Sequence, residues 1–94
     1  MKKIIVIFDS SQQTMEEVIL PSTVNYNEDY ELNTLDINDR KPSIRKKAIS
    51  LLYQHGTNNT PLYLFKNAKD TYNSHYFEHG PLTKEIALKK LNDG

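Results

Sequence analysis

Ile4-Ile5-Val6-Ile7-Phe8 is apolar at every position, and four of its five residues are β-branched. A half-buried strand alternates polar and apolar residues. An unbroken apolar run this short therefore reads as a strand buried on both faces, the pattern of a central strand in an α/β sheet. Both faces then need cover, which the rest of the chain must supply as helices. The run is far below the roughly 20 residues that cross a bilayer. No small-residue cleavage site follows it, which argues against a signal peptide and for a cytoplasmic protein. At 94 residues, 37% hydrophobic and 26% charged, the chain is expected to form one domain over 1–94.

The remaining periodicities predict the cover. Asp9-Ser10-Ser11 breaks the apolar run with three potential helix caps. A helix is expected from about Gln12, with Met15, Val18 and Ile19 on its core face, kinked or ended by Pro21. Residues 25–29 read as a loop, and Tyr30, Leu32, Leu35 and Ile37 mark a second strand. A second helix should start near Pro42 and bury Ile44, Ala48, Ile49 and Leu52, stopping at His55-Gly56. Leu62 to Phe65 is a third strand, Lys66 to Asp70 a turn, and Tyr72 to Phe77 a fourth strand returning as a hairpin. Gly80-Pro81 breaks that strand. Thr83 then caps a last helix carrying Ile86, Ala87 and Leu91, with Leu82 placed as a hydrophobic staple. The order is β-α-β-α-β-β-α, an α/β chain with a four-stranded mixed sheet and three helices.

Several function classes are excluded by what the chain lacks. It has no cysteine, so it offers no thiol nucleophile, disulfide or thiolate metal site. Twelve basic and twelve acidic side chains cancel, so no overall field favours nucleic acid or a membrane surface. His75 and His79 share a strand face but lie about 13 Å apart along it, too far to share a metal ion, and no cofactor site is expected. The three glycines stand at element ends, which leaves no phosphate-cradling loop. The lysine, asparagine, isoleucine and tyrosine bias is one that accompanies AT-rich bacterial, phage or plasmid genomes.

Thr60-Pro61-Leu62-Tyr63-Leu64-Phe65-Lys66-Asn67 resembles the thioredoxin segment in which a cis-proline opens a strand ending in Phe-Lys-Asn. Gly80-Pro81-Leu82-Thr83-Lys84 is similar to that family's entry to its last helix, and Leu35-Asp36-Ile37-Asn38 to its second core strand. Phe8 and Pro21 keep the spacing between a strand phenylalanine and the helix-kinking proline. The resemblance, to the thioredoxin/glutaredoxin family, covers nearly the whole chain and implies the minimal thioredoxin fold. The chain departs from the family by lacking its extra N-terminal strand and helix, by a longer second helix and by a longer hairpin turn. It also lacks the Cys-x-x-Cys. Threading without gaps puts Gln13-Thr14-Met15-Glu16 in its place, and a frame slipped by two puts Ser11 and Thr14 there. Thiol exchange needs a thiolate attacking sulfur, and neither frame supplies one.

What remains is binding. In the family, the strand edge before the cis-proline pairs with an extended peptide. The resemblance therefore implies a protein partner held at Thr60 and Pro61, beside Ser11, Gln12, Gln13, Thr14, Met15 and Glu16, with Thr60 offering an unpaired N–H and C=O. The start of the first helix could also favour an anion, or let Ser10 or Ser11 act on glutathione, although Asp9, Ser10 and Glu16 are equally ordinary helix-start residues. Arg40, Lys41, Arg45, Lys46 and Lys47 crowd the start of the second helix. They read either as a solvated face, neutralised nearby by Asp36 and Asp39, or as a patch for an acidic partner. Three functions follow: a redox-inactive adaptor, such as a phage- or plasmid-encoded modulator of a host protein; a glutathione-using enzyme; and a structural subunit that binds through the second helix.

Overall fold

The computed structural model describes residues 3–19, 30–66, 72–76 and 81–92, with the backbone alone described at 72–76, 84 and 92. The expected kink at Pro21, the loop at 25–29, the turn at 67–70, Phe77, Gly80 and the side chains of His75 and His79 lie outside that description.

The apolar run forms β1 (Lys3–Phe8), followed by α1 (Met15–Val18), β2 (Glu31–Asp36), α2 (Pro42–Gln54), β3 (Leu62–Lys66), β4 (Tyr72–Tyr76) and α3 (Lys84–Asn92). β1 pairs parallel with β2, from Lys3–Glu31 to Phe8–Asp36, and antiparallel with β3. β3 pairs antiparallel with β4, and the strand order is β2-β1-β3-β4. Lys66, expected in the turn, belongs to β3.

The strand period of two sends alternate residues of β1 to opposite cores. Ile4, Val6 and Phe8 join Tyr63 and Phe65 of β3 against Val18, Ile19, Leu82, Ala87 and Leu91, the side covered by α1 and α3. Ile5 and Ile7 join Leu62 and Leu64 against Ala48 and Leu52 of α2. Pro42 occupies the first turn of α2, where its missing N–H costs nothing. Gly56, with φ +67°, ends the helix: its N–H donates to Tyr53 O and that of Thr57 to Leu52 O, a Schellman closure. Thr83 caps α3 through its hydroxyl, which accepts from Ile86 N at 3.2 Å. Leu82 and Ala87 share one core, as a staple requires.

Three expectations are corrected. The first helix begins at Met15 rather than Gln12, because its cap is Thr14 and not Asp9, Ser10 or Ser11. It lasts one turn: Ile19 is already extended, with φ −139° and ψ 128°, and bridges to Leu82. Met15, at the outer end of that turn, is 39% exposed rather than packed beside Val18. Ile49 is 54% exposed. The stripe of α2 that meets the sheet is Ile44-Ala48-Leu51-Leu52, and Ile49 stands about 100° round the helix from Ala48.

The carbonyl of Val18, left without a partner in its own one-turn helix, accepts from the Tyr63 hydroxyl at 2.8 Å and from Leu82 N at 2.7 Å. This knot ties α1 to β3 and to the approach to α3. Tyr63→Phe removes one of the two donors from a buried acceptor. It should destabilise the fold by about 1 kcal/mol, seen as a melting temperature lowered by about 4–8 °C, with Leu82 N limiting the loss.

Candidate functional site

The site lies where β1 ends. Phe8 O accepts from Ile37 N at 3.0 Å, which holds the C-terminal ends of β1 and β2 together. The chain then turns over Asp9, whose carbonyl accepts from Gln12 N at 3.0 Å and Gln13 N at 2.9 Å. The Asp9 side chain, only 8% exposed, organises this turn. It accepts from Ser11 N at 2.9 Å, from the Ser11 hydroxyl at 2.6 Å and from the Asn38 carboxamide. Asp36 accepts from Ser10 N at 3.1 Å and from Asn38 N at 3.0 Å, so Asn38 links the two carboxylates.

Both carboxyls are held ionised by these donors. The Ser11 hydroxyl holds Asp9 below its ordinary value against the effect of burial, helped by the Ser11 amide and the Asn38 carboxamide. At Asp36 burial favours the neutral acid. The Ser10 hydroxyl and the amides of Asn38 and Ser10 outweigh it and the neighbouring Asp9 charge, so this carboxyl is also lowered.

Gln13 joins this turn to the strand entry 47 residues away. Its Nε2 donates to Thr60 O at 2.8 Å, while its Oε1 accepts from Asp9 N at 3.1 Å. The two contacts fix which end of the amide is which, because one partner is an acceptor and the other a donor. Thr60–Pro61 is cis. Thr60 is half-buried and Pro61 buried, whereas Ser11, Gln12, Thr14, Met15 and Glu16 are exposed. The expectation of a fully unpaired Thr60 is thus half corrected. No described residue accepts from its N–H, but Gln13 has taken its carbonyl.

The start of α1 is also occupied. Thr14 accepts from Glu17 N at 3.3 Å, and the Glu17 carboxylate accepts from Thr14 N at 3.2 Å and the Thr14 hydroxyl at 3.0 Å. This capping box places the chain's own anion at the helix start that could otherwise have favoured a bound one. Its signature, Thr14-x-x-Glu17, is legible in the sequence and marks the helix start better than the upstream serines do. Asp9, Asn38 and the latch role of Gln13 carry no comparable local signal.

The cations of the basic run differ in their contacts. Arg45 folds back, its Nη1 donating to Asp39 O at 2.9 Å and Arg40 O at 3.3 Å, and Asp39 Oδ1 accepts from Lys41 N at 2.8 Å. Arg40, Lys41, Lys46 and Lys47 are exposed, and Lys47 lines a separate cleft against β2. Among the described residues no three His, Asp or Glu side chains converge as metal ligands, and no helix is long and apolar enough to cross a membrane.

No protein-family model and no curated protein matches the chain. Among solved structures it is similar to the crystal structure of StoA from Bacillus subtilis, a thioredoxin-like protein, with a TM-score of 0.58 at 14% sequence identity, over 94% of this chain and 80% of that one. At that identity the likeness speaks for the fold alone. The chain is a mixed α/β protein with a thioredoxin-like fold and no cysteine.

The lowered carboxyls imply a pH dependence. The folded-state values of Asp9 and Asp36 lie below the ordinary 3.8, so their stabilisation is complete above that value and is lost as pH falls through the lowered ones. Asp9→Asn should lower the melting temperature at pH 7 and flatten its decline between about pH 5 and pH 2, as calorimetry across that range would record.

Proposed function

We propose that this chain is a redox-inactive binding module, a minimal, four-stranded version of the thioredoxin fold, that recognises another protein at the surface formed by residues 11–16 with Thr60 and Pro61. It has no catalytic role and no cofactor in this reading. Its setting is the cytoplasm, where a phage- or plasmid-encoded modulator of a host protein would act.

The Gln13–Thr60 contact carries the reading. The position that threading assigns to the first thiol holds an amide, and the amide donates to the carbonyl that an added strand would use. The Thr60 acceptor therefore already accepts a donor that a peptide N–H could replace. No described residue accepts from the Thr60 N–H, and Ser11, Gln12, Thr14, Met15 and Glu16, which flank Gln13 in the chain, are exposed. The glutathione reading has less support, because the Ser11 hydroxyl is committed to Asp9.

One observation favours the structural-subunit alternative. Ile49 and Tyr53, one turn apart on α2 beside Lys46, are 54% and 86% exposed, an apolar pair flanked by charge.

Photo-crosslinking separates the two. A photoreactive residue at Gln12 should capture the partner and one at Tyr53 should not, and the reverse pattern would transfer the interface to α2. Gln13→Glu keeps an acceptor for Asp9 N but cannot donate to Thr60 O. Under the groove reading it should raise capture at Gln12 severalfold, and under the α2 reading it should leave capture at Tyr53 unchanged.

A further inference from the structure

We propose that the outer edge of β2 is a second docking strand, for an extended segment of another protein that bears a carboxylate, with Lys47 as the residue that reads that carboxylate. This surface begins at the Lys3 end of β1, away from Thr60, and does not depend on the groove reading.

The sheet ends at β2, which pairs with β1 on one side. Among the described residues nothing bonds to its other side. An open strand edge presents backbone donors and acceptors to any extended chain, and proteins commonly blunt such edges with lysine, proline or a bulge. The Glu-Leu-Asn-Thr-Leu-Asp sequence of β2 contains no lysine and no proline.

Beside this edge, on the α2 side, lies a cleft of about 370 Å³. That is far more than the roughly 30 Å³ share of one water and within the range of ligand clefts. Ile5, Leu35 and Ile44 give it apolar surface, of which Ile5 and Leu35 belong to the buried core. Its polar members are Lys3, Glu31, Asn33, Thr34 and Lys47. Lys3 and Glu31 answer each other at 3.9 Å across the register. The Asn33 carboxamide and the Lys47 ammonium have no hydrogen-bond or ionic partner among the described residues. The unanswered groups are thus one cation and one amide above an apolar floor.

That set selects the occupant. A strand added to β2 would place every second side chain on the α2 face. A carboxylate there meets Lys47 and Asn33, and an apolar neighbour two residues away covers Ile5 and Ile44. A second copy of the chain fits poorly. Antiparallel self-pairing centred on Asn33 and Thr34 sets Glu31 opposite Asp36 of the second copy, and like charges directly opposite are destabilising.

The test uses the full chain and a fluorescein-labelled eight-residue peptide of alternating valine and threonine with one central glutamate. Anisotropy should show saturable binding, weakened about fivefold or more by Lys47→Glu, which turns an exposed attraction into a repulsion. The same peptide with lysine for glutamate should bind the Lys47→Glu chain better than it binds the unaltered one. Amide resonances of residues 31–36 should move while those of 10–16 and Thr60 stay. No binding at millimolar peptide, an affinity indifferent to Lys47→Glu, shifts centred on Thr60, or a dimer built through β2 in sedimentation would each overturn the proposal. A failed groove leaves the β2 shifts intact, so the two readings fail separately.

Discussion

Burial of β1 on both faces is the constraint from which the rest of the structure follows. Ile4, Val6 and Phe8 look into one core and Ile5 and Ile7 into the other, all five nearly or completely withdrawn from water. At roughly 25 cal/mol for each Å² of apolar surface removed from water, leaving either face bare would cost several kcal/mol, a large part of a small domain's stability. A helix must therefore lie on each side. α2, which joins β2 to β3, takes one face, while α1, in the crossover between the parallel strands β1 and β2, shares the other with α3.

This arrangement brings the chain out of β1 at Asp9, beside the end of β2 and the entry to β3. Three segments converge there, each with backbone groups that regular structure cannot satisfy. Asp9, Asp36, Asn38 and Gln13 supply the missing partners. This end of the sheet is occupied by amides, carboxylates and hydroxyls that bond to one another. Gln13 spans the gap from the turn to Thr60.

The charged residues show how tertiary context redistributes a sequence cluster. Five cations within eight positions suggest one basic patch, yet Arg45 is drawn onto the carbonyls of the loop before α2 and Lys47 faces a cleft at the sheet edge. Positive charge at the start of a helix is unfavourable. The loop carbonyls that receive Arg45 offset part of that cost, and they exist only because the chain turns sharply between Asp36 and Pro42. The acidic side chains nearby are already used, Asp36 by Ser10 and Asn38 and Asp39 by Lys41 N.

The sequence by itself determined the elements and the absence of thiol chemistry. The doubly buried strand was legible in Ile4–Phe8, the start of α2 in Pro42, its end in Gly56 and the cap of α3 in Thr83, because each depends on residues within a turn of one another. The first helix was misplaced although Thr14 and Glu17 announced it, since three upstream cap residues competed. Ile49 was misassigned because periodicity alone leaves open how wide a stripe of α2 the sheet will cover. Only the tertiary structure decided that Gln13 meets Thr60 across 47 positions and that Asn38 meets Asp9 across 29. Hydrogen bonds between residues so far apart are set by where strands end in space, and no local pattern of residue types encodes that meeting.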